Sequence, residues 1–153
     1  MANRLKIGGA VAGVLVALVA GFEGLRTTAY RDIVGVPTVC YGETQNVRMG
    51  DRYSAAECKA MLLRSLQTYA AGIERCVTVP LPDERYVALV SWAYNVGVGA
   101  ACGSTAVRLI NAGRTREGCD ALLLWNRADG KVAAGLTRRR EAERALCLVG
   151  TEG

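Results

Sequence analysis

At 153 residues, with 51% hydrophobic and 22% charged residues, the chain is long enough to bury one real core, and it is neither disordered nor a polytopic membrane protein. A net charge of +5 favours an anionic partner, but aromatics are only 6% and no nucleic-acid motif accompanies the Arg138, Arg139 and Arg140 cluster, so nucleic acid is not an expected partner. The absence of His argues against His general bases and most zinc hydrolase sites, and leaves carboxylates as the catalytic candidates.

Residues 1–6, MANRLK, carry Arg4 and Lys6 and no acid, and Ile7 to Phe22 then runs without a charge. A positive start before an apolar run is the pattern of a signal sequence, but the small-residue cleavage site would fall around Ala17 to Gly21, close to Glu23. The run is also short and Gly-rich for a permanent span, which takes about 20 apolar residues. A cleaved signal peptide, a buried core helix and a weak membrane anchor are the three readings the residues leave open.

The stretch from Glu23 to Thr44, EGLRTTAYRDIVGVPTVCYGET, holds the candidate chemistry. Ala29 and Tyr30 end what reads as a helix. Val36 to Tyr41 is β-branched and aromatic around Pro37 and predicts a short hairpin arm. Eight residues separate Glu23 from Asp32, and five separate Asp32 from Thr38. Two carboxyl groups across a gap are what glycosidic hydrolysis needs: one protonated to serve the leaving oxygen, one ionised to activate water or stabilise an oxocarbenium-like centre. Glu23 follows an apolar run, which favours the neutral acid, and Asp32 sits beside Arg31 in a polar turn, which favours the ionised partner. Thr38 supplies a hydroxyl to hold a water near Asp32.

Further on, Ser54 and Glu57 form a capping box at the head of a long helix with Cys58, Met61, Leu62, Leu66, Tyr69, Ala70 and Ile73 on its apolar face. VPLP, residues 79–82 with the preceding Val77 and Thr78, breaks it. Asp83 is expected to cap DERYVALVSWAYN, which Asn95 and Gly97 end, with Trp92 in the core. Ser104 and Thr105 start another helix, their hydroxyls serving as caps before any contact with substrate. Thr115 is expected to cap REGCDALLLWNRA, stopped by Asp129-Gly130. Gly135 to Leu148 supplies the last helix, on whose surface charges three and four apart pair.

Six Cys without a CxxC speak against zinc ribbons and for disulfides in an oxidising compartment. Cys76 and Cys102 flank the Asp83 helix, and Cys119 and Cys147 lie on the last two helices. Six Cys allow 15 pairings; a scheme that joins these two pairs leaves Cys40 of the hairpin with Cys58 of the following helix.

The chain resembles the phage-type lysozymes, or endolysins, of the T4-lysozyme-like family. The likeness rests on the Glu-(eight residues)-Asp-(five residues)-Thr spacing of Glu23, Asp32 and Thr38, followed in order by ALVSWAYNVGVGA, STAVRLINAG and GLTRRREAERALCLVG. It implies an α+β, lysozyme-like fold, mostly helical, with a small antiparallel sheet lobe around residues 30–48 beside a helical lobe. It also implies cleavage of the β-1,4 bond between N-acetylmuramic acid and N-acetylglucosamine, with Glu23 as acid, Asp32 as base or stabiliser and Thr38 placing the water. Arg139 and Arg140 are a signature of the resemblance without assigned chemistry. No cofactor or metal is implied, and the acting species is expected to be a monomer on peptidoglycan. Some members carry a signal-arrest-release segment, which assigns residues 1–22 to a transient inner-membrane tether through residues 7–22. Residues 23–153 are then a catalytic domain delivered to the host periplasm. A non-catalytic membrane-disrupting lysis protein, or a peptidoglycan-binding module, is the alternative.

Overall fold

A computed structural model describes residues 2–6 and 8–151; Ile7, the first residue of the charge-free run, lies outside them. Among the described residues there are seven α-helices and two small antiparallel sheets, the mostly helical α+β architecture expected. The chain forms two compact units, one of residues up to Arg4 together with Thr68 onward, the other of Leu5–Gln67.

In the Leu5–Gln67 unit, α1 (Ala10–Glu23) buries Ala12, Leu15 and Val19 and leaves Gly13, Val14, Ala17 and Gly21 exposed. Gly24, at φ 76°, ends it by donating its N–H to the Ala20 carbonyl at 3.1 Å. The helix therefore stops at Glu23, not at Ala29 and Tyr30. From Arg26 the β-branched pair Thr27-Thr28 and Tyr30 take up a strand, β1 (Arg26–Arg31), antiparallel to β2 (Pro37–Cys40), with Tyr30 opposite Thr38. The long helix α2 (Ala55–Cys76) opens on the expected capping box: Glu57 N–H donates to Ser54 Oγ at 3.0 Å, and Ser54 N–H to Glu57 Oε1 at 2.8 Å. Its Cys58, Leu62 and Leu66 are fully buried, and a disulfide from Cys58 to Cys40 ties it to the hairpin.

The other unit is built around α3 (Asp83–Val96), in which every residue from Arg85 to Ala93 is buried, Trp92 completely. A helix buried on all faces is a core helix. Asp83 does not cap it. Pro82 holds the N-cap position, and the Asp83 carboxylate accepts from Arg4 Nη2 at 2.7 Å while the Arg4 guanidinium lies 4.1 Å from the Tyr86 ring centre. Gly97, at φ 96°, separates α3 from α4 (Val98–Cys102). A Cβ at Gly72 of α2 would come within 2.5 Å of Val98 Cγ1, so only glycine admits this approach, and the Cys76–Cys102 disulfide closes it. Ser104 caps α5 (Thr105–Asn111): its hydroxyl accepts from Val107 N–H at 3.1 Å and donates to the Ala101 carbonyl at 2.6 Å. Both of its bonds are local.

Helix α6 (Thr115–Ala121) is preceded by Arg114, and no Thr115 side-chain cap forms. It is also shorter than expected. A single 3₁₀ turn follows at Leu122–Leu124, and residues on either side of Asp129-Gly130 pair as β3 (Arg127–Ala128) and β4 (Lys131–Val132). Asp129 and Gly130 both have positive φ, 52° and 77°, the two-residue hairpin turn that an Asp-Gly pair favours. What read as a helix stop is a hairpin turn. The last helix, α7 (Ala134–Cys147), is held to α6 by the Cys119–Cys147 disulfide. All three pairings are those expected.

The charges of α7 pair at helical spacing, but in the core and not on the surface. Arg139, Arg140 and Glu143 are buried. Arg140 Nε lies 2.7 Å from Glu143 Oε1, an ion pair whose N–H is not aligned as a hydrogen bond. Arg139 Nε lies 3.3 Å from Glu143 Oε2, which also accepts from Ser91 Oγ of α3 at 2.6 Å. Arg140 reaches on to Asn95 Oδ1 at 2.8 Å and the Trp125 carbonyl at 3.3 Å. Burial pushes the Glu143 carboxyl above the ordinary carboxylate range, and Arg140, Ser91 and Arg139 pull against that shift. Removing one partner of such a group leaves uncompensated buried charge. Glu143→Ala is therefore expected to lower stability by about 3–5 kcal/mol, read as a fall in the urea midpoint of the oxidised protein. A loss within about 0.5 kcal/mol would show that the trio contributes nothing to the fold.

Candidate active site

Glu23 is the last residue of α1, so the Gly24 stop fixes where its side chain leaves the helix. It is exposed, which departs from the apolar surroundings that the preceding run suggested. Its carboxylate points to the chain just after β2: Glu23 Oε1 lies 3.9 Å from where a Cβ on Gly42 would stand. Gly42 has φ +90° and lies in a tight turn closed by reciprocal bonds between Val39 and Glu43, at 2.9 and 2.8 Å. That backbone conformation favours glycine. Glu43 is held in place by Ser65 Oγ of α2, which donates to its Oε1 at 2.7 Å.

Asp32 is the first residue after β1. Its Oδ1 accepts from Val34 N–H and from Val36 N–H, each at 2.9 Å. The side chain thus imitates a backbone turn, as Asp does at such positions, and the two bonds fix the direction of its carboxylate. Thr38 follows on β2. It is buried, and its hydroxyl donates to the Val36 carbonyl at 2.9 Å. The structure therefore brings Asp32 and Thr38 together through one residue: Val36 gives its N–H to the first and its carbonyl to the second. Glu23 belongs to the same compact unit, beside Gly42.

The chemical consequence concerns protons. The Thr38 hydroxyl has committed its hydrogen to Val36, so toward a water it offers lone pairs and accepts. Asp32 uses Oδ1 on the loop, which leaves Oδ2 for chemistry. Two residues without an expected role in the site belong to this arrangement, Gly42 beside Glu23 and Val36 between Asp32 and Thr38. The sequence marks Val36 only as the start of the hairpin arm; its role is carried by its backbone and leaves no side-chain signal. In the other unit, Arg139 and Arg140 engage Glu143, and Arg140 also engages Asn95. Among the described residues no group of three or more His, Cys, Asp or Glu side chains is placed to hold a metal ion.

A sequence model of the phage lysozyme family matches residues 20–143. The chain is 43% identical over 150 residues to the SAR-endolysin (a signal-arrest-release endolysin) of Pseudomonas phage phiKMV, covering 95% of this chain and 92% of that protein. Among solved structures it is similar to the muramidase domain of SpmX from Asticaccaulis excentricus, at TM-score 0.83 and 34% identity, covering 88% of this chain and 95% of that one. An endolysin of the Escherichia coli phage FAHEc1 is similar at TM-score 0.82 and 30% identity, with 94% of each chain covered.

Because the Asp32 carboxylate holds the turn, its two roles separate by substitution. Asp32→Asn keeps an acceptor oxygen, so the Val34 and Val36 amides stay protected from hydrogen exchange. Asp32→Ala is expected to expose both. Protection that persists in the alanine variant would show that the turn stands without the carboxylate.

Proposed function

The chain belongs to the phage lysozyme family, whose members are muramidases that lyse the bacterial host by hydrolysing peptidoglycan, and we propose that Glu23, Asp32 and Thr38 carry that reaction here. The bond cut is the β-1,4 link from N-acetylmuramic acid to N-acetylglucosamine. Glu23 gives its proton to the leaving glycosidic oxygen as the bond to the anomeric carbon breaks. A water held between Thr38 and Asp32 supplies the new oxygen, its proton passing to Asp32, whose negative charge also faces the oxocarbenium-like centre. Asp32 then releases that proton to solvent and Glu23 regains one, which restores both groups. The observation that carries this reading is the shared anchor on Val36, which presents a hydroxyl lone pair and a carboxylate oxygen from one rigid turn. Pre-set acceptors need no rearrangement as charge develops.

Glu23→Gln preserves shape and cannot give a proton, so the rate of clearing purified sacculi should fall by about 10²–10⁴-fold with the three disulfides intact. A rate near that of the unaltered enzyme would remove Glu23 from the mechanism.

We further propose that residues 7–22 first tether the enzyme to the inner membrane, on its periplasmic side, and later join the folded unit as α1. Relatives named SAR-endolysins support this, as does a helix without charge before Glu23 whose outer face is Gly13, Val14, Ala17 and Gly21. Among the described residues no helix is long and apolar enough to cross a membrane. At 1.5 Å per residue α1 spans only about 21 Å against a hydrocarbon core of about 30 Å, as a weak anchor requires. Arg4 and Lys6 keep the N-terminus cytoplasmic while the tether holds. A Cβ on Gly13 would meet nothing within 4 Å, so Gly13→Leu is compatible with the released fold and strengthens the anchor. It should enrich the enzyme in the membrane fraction and delay lysis. A soluble variant that lyses on the normal schedule would leave α1 as a core helix only.

A further inference from the structure

Arg85 carries a buried charge without a carboxylate beside it. It lies in the buried stretch of α3 and is only 8% exposed. Its Nε donates to the Cys147 carbonyl at 2.8 Å, and its Nη2 to the Val149 carbonyl at 3.1 Å. These bonds serve the carbonyls at the end of α7, where a cation is favoured, and they fix the side chain in place. Among the described residues no carboxylate forms an ion pair with Arg85, and its Nη1 has no acceptor. Burial lowers its pKa, and Glu84 works the other way. A guanidinium has five N–H donors, so this one has donors to spare and lacks a counter-ion, which a buried charge needs.

Arg85 lines a cavity of about 530 Å³. The segment that opens α6 supplies Arg114, Thr115, Arg116 and Glu117 to its wall, and the chain after α7 supplies Thr151. Arg114 grips Glu117 through a double bond of donors, Nε to Oε1 at 2.8 Å and Nη2 to Oε2. The Thr151 hydroxyl gives its hydrogen to the Leu148 carbonyl at 2.6 Å. The Arg116 guanidinium and the Thr115 hydroxyl have no partner among the described residues. Three guanidiniums against one carboxylate leave a surplus of two positive charges around one polar hollow.

We infer that this cavity binds a phosphate group that has one ester link or none. The inference stands apart from the catalytic assignment and from the tether. A carboxylate ligand would offset half of the surplus, whereas a phosphate monoester carries a charge of about −1.5 to −2 at neutral pH. Its three free oxygens point in different directions, and planar guanidinium forks on separate elements match them better than a single flat ligand. Arg85 needs no reordering to take part, because α7 already holds it, and that lowers the cost of binding. Inorganic phosphate and the headgroup of phosphatidic acid share this chemistry.

Two probes test it on the oxidised full chain: calorimetric titration with inorganic phosphate against chloride at matched ionic strength, and sedimentation with phosphatidylcholine vesicles carrying phosphatidic acid. Binding should saturate with at least one of them. Arg116→Gln should then weaken it by about ten-fold, the scale of losing one hydrogen bond to a charged group, with an unchanged thermal midpoint in phosphate-free buffer. Glu117→Gln frees Arg114 and should tighten it. Arg64→Gln removes the same charge from an exposed position on α2 that does not line the cavity, and should change nothing. Weakening by Arg116→Gln for inorganic phosphate alone makes the ligand the free ion, and for vesicles alone a lipid headgroup; either supports the site. Equal weakening by Arg116→Gln and Arg64→Gln would overturn the inference, by assigning the effect to net charge. So would the absence of saturable binding to both probes, or weaker binding by Glu117→Gln.

Discussion

The carboxylate proposed to do chemistry also supports the ground it stands on. Asp32 accepts from two amides of its own turn, and those two bonds set the shape of the loop, the direction of the second oxygen and, through Val36, the position of the Thr38 hydroxyl. A freely rotating aspartate would have to be oriented during the reaction. This one is oriented by folding, and the cost of ordering it is met by the hairpin. The arrangement is compact because it uses backbone groups, which every sequence has, and only one side chain that must be an acid.

Elsewhere the molecule handles charge in two opposite ways. On the surface of α3, Arg4 meets Asp83 where both are at least partly exposed, and such a pair contributes little by itself. Inside α7, two guanidiniums share one carboxylate with almost no solvent contact. Burial there works against the charged forms of both Arg140 and Glu143. The geometry is what the trio supplies: it joins α7 to Ser91 and Asn95 of α3 and to the Trp125 carbonyl ahead of the small hairpin. Disulfides then close α2 to α4 and α6 to α7 over 26 and 28 residues.

Much of this was legible beforehand, for identifiable reasons. Asp32 and Thr38 were readable as neighbours because five residues separate them across one hairpin, and two of the cysteine pairs were readable from the helices they flank or lie on, with Cys40–Cys58 as the remainder. The Ser54–Glu57 box was readable because both partners lie within one turn. The failures share a cause, tertiary context overriding local pattern. Nothing in GLRTTAYR is forbidden in a helix, so the stop at Gly24 was missed until its positive φ and the pairing of Arg26–Arg31 with β2 were seen. Leu122 to Leu124 favour a helix, yet Asp129-Gly130 folds back as a hairpin whose approach is held by Arg140 on the Trp125 carbonyl. The i, i+3 and i, i+4 charges of α7 were expected at the surface because such charges usually are; what buries them is the packing of α7 on α3, where Ser91 donates to Glu143. Val36 could not have been found at all, since its contribution is made by its peptide group.

One feature of the covalent framework bears on the order of assembly. The six cysteines run from Cys40 to Cys147, and each bridge closes between residues that follow α1 in the chain. None lies in Ala10–Glu23. No bridge therefore constrains the first helix, and nothing covalent records whether that helix has arrived. Under the tether proposed above, the enzyme would mature covalently first and become complete later, with its final step left reversible and governed by noncovalent packing alone.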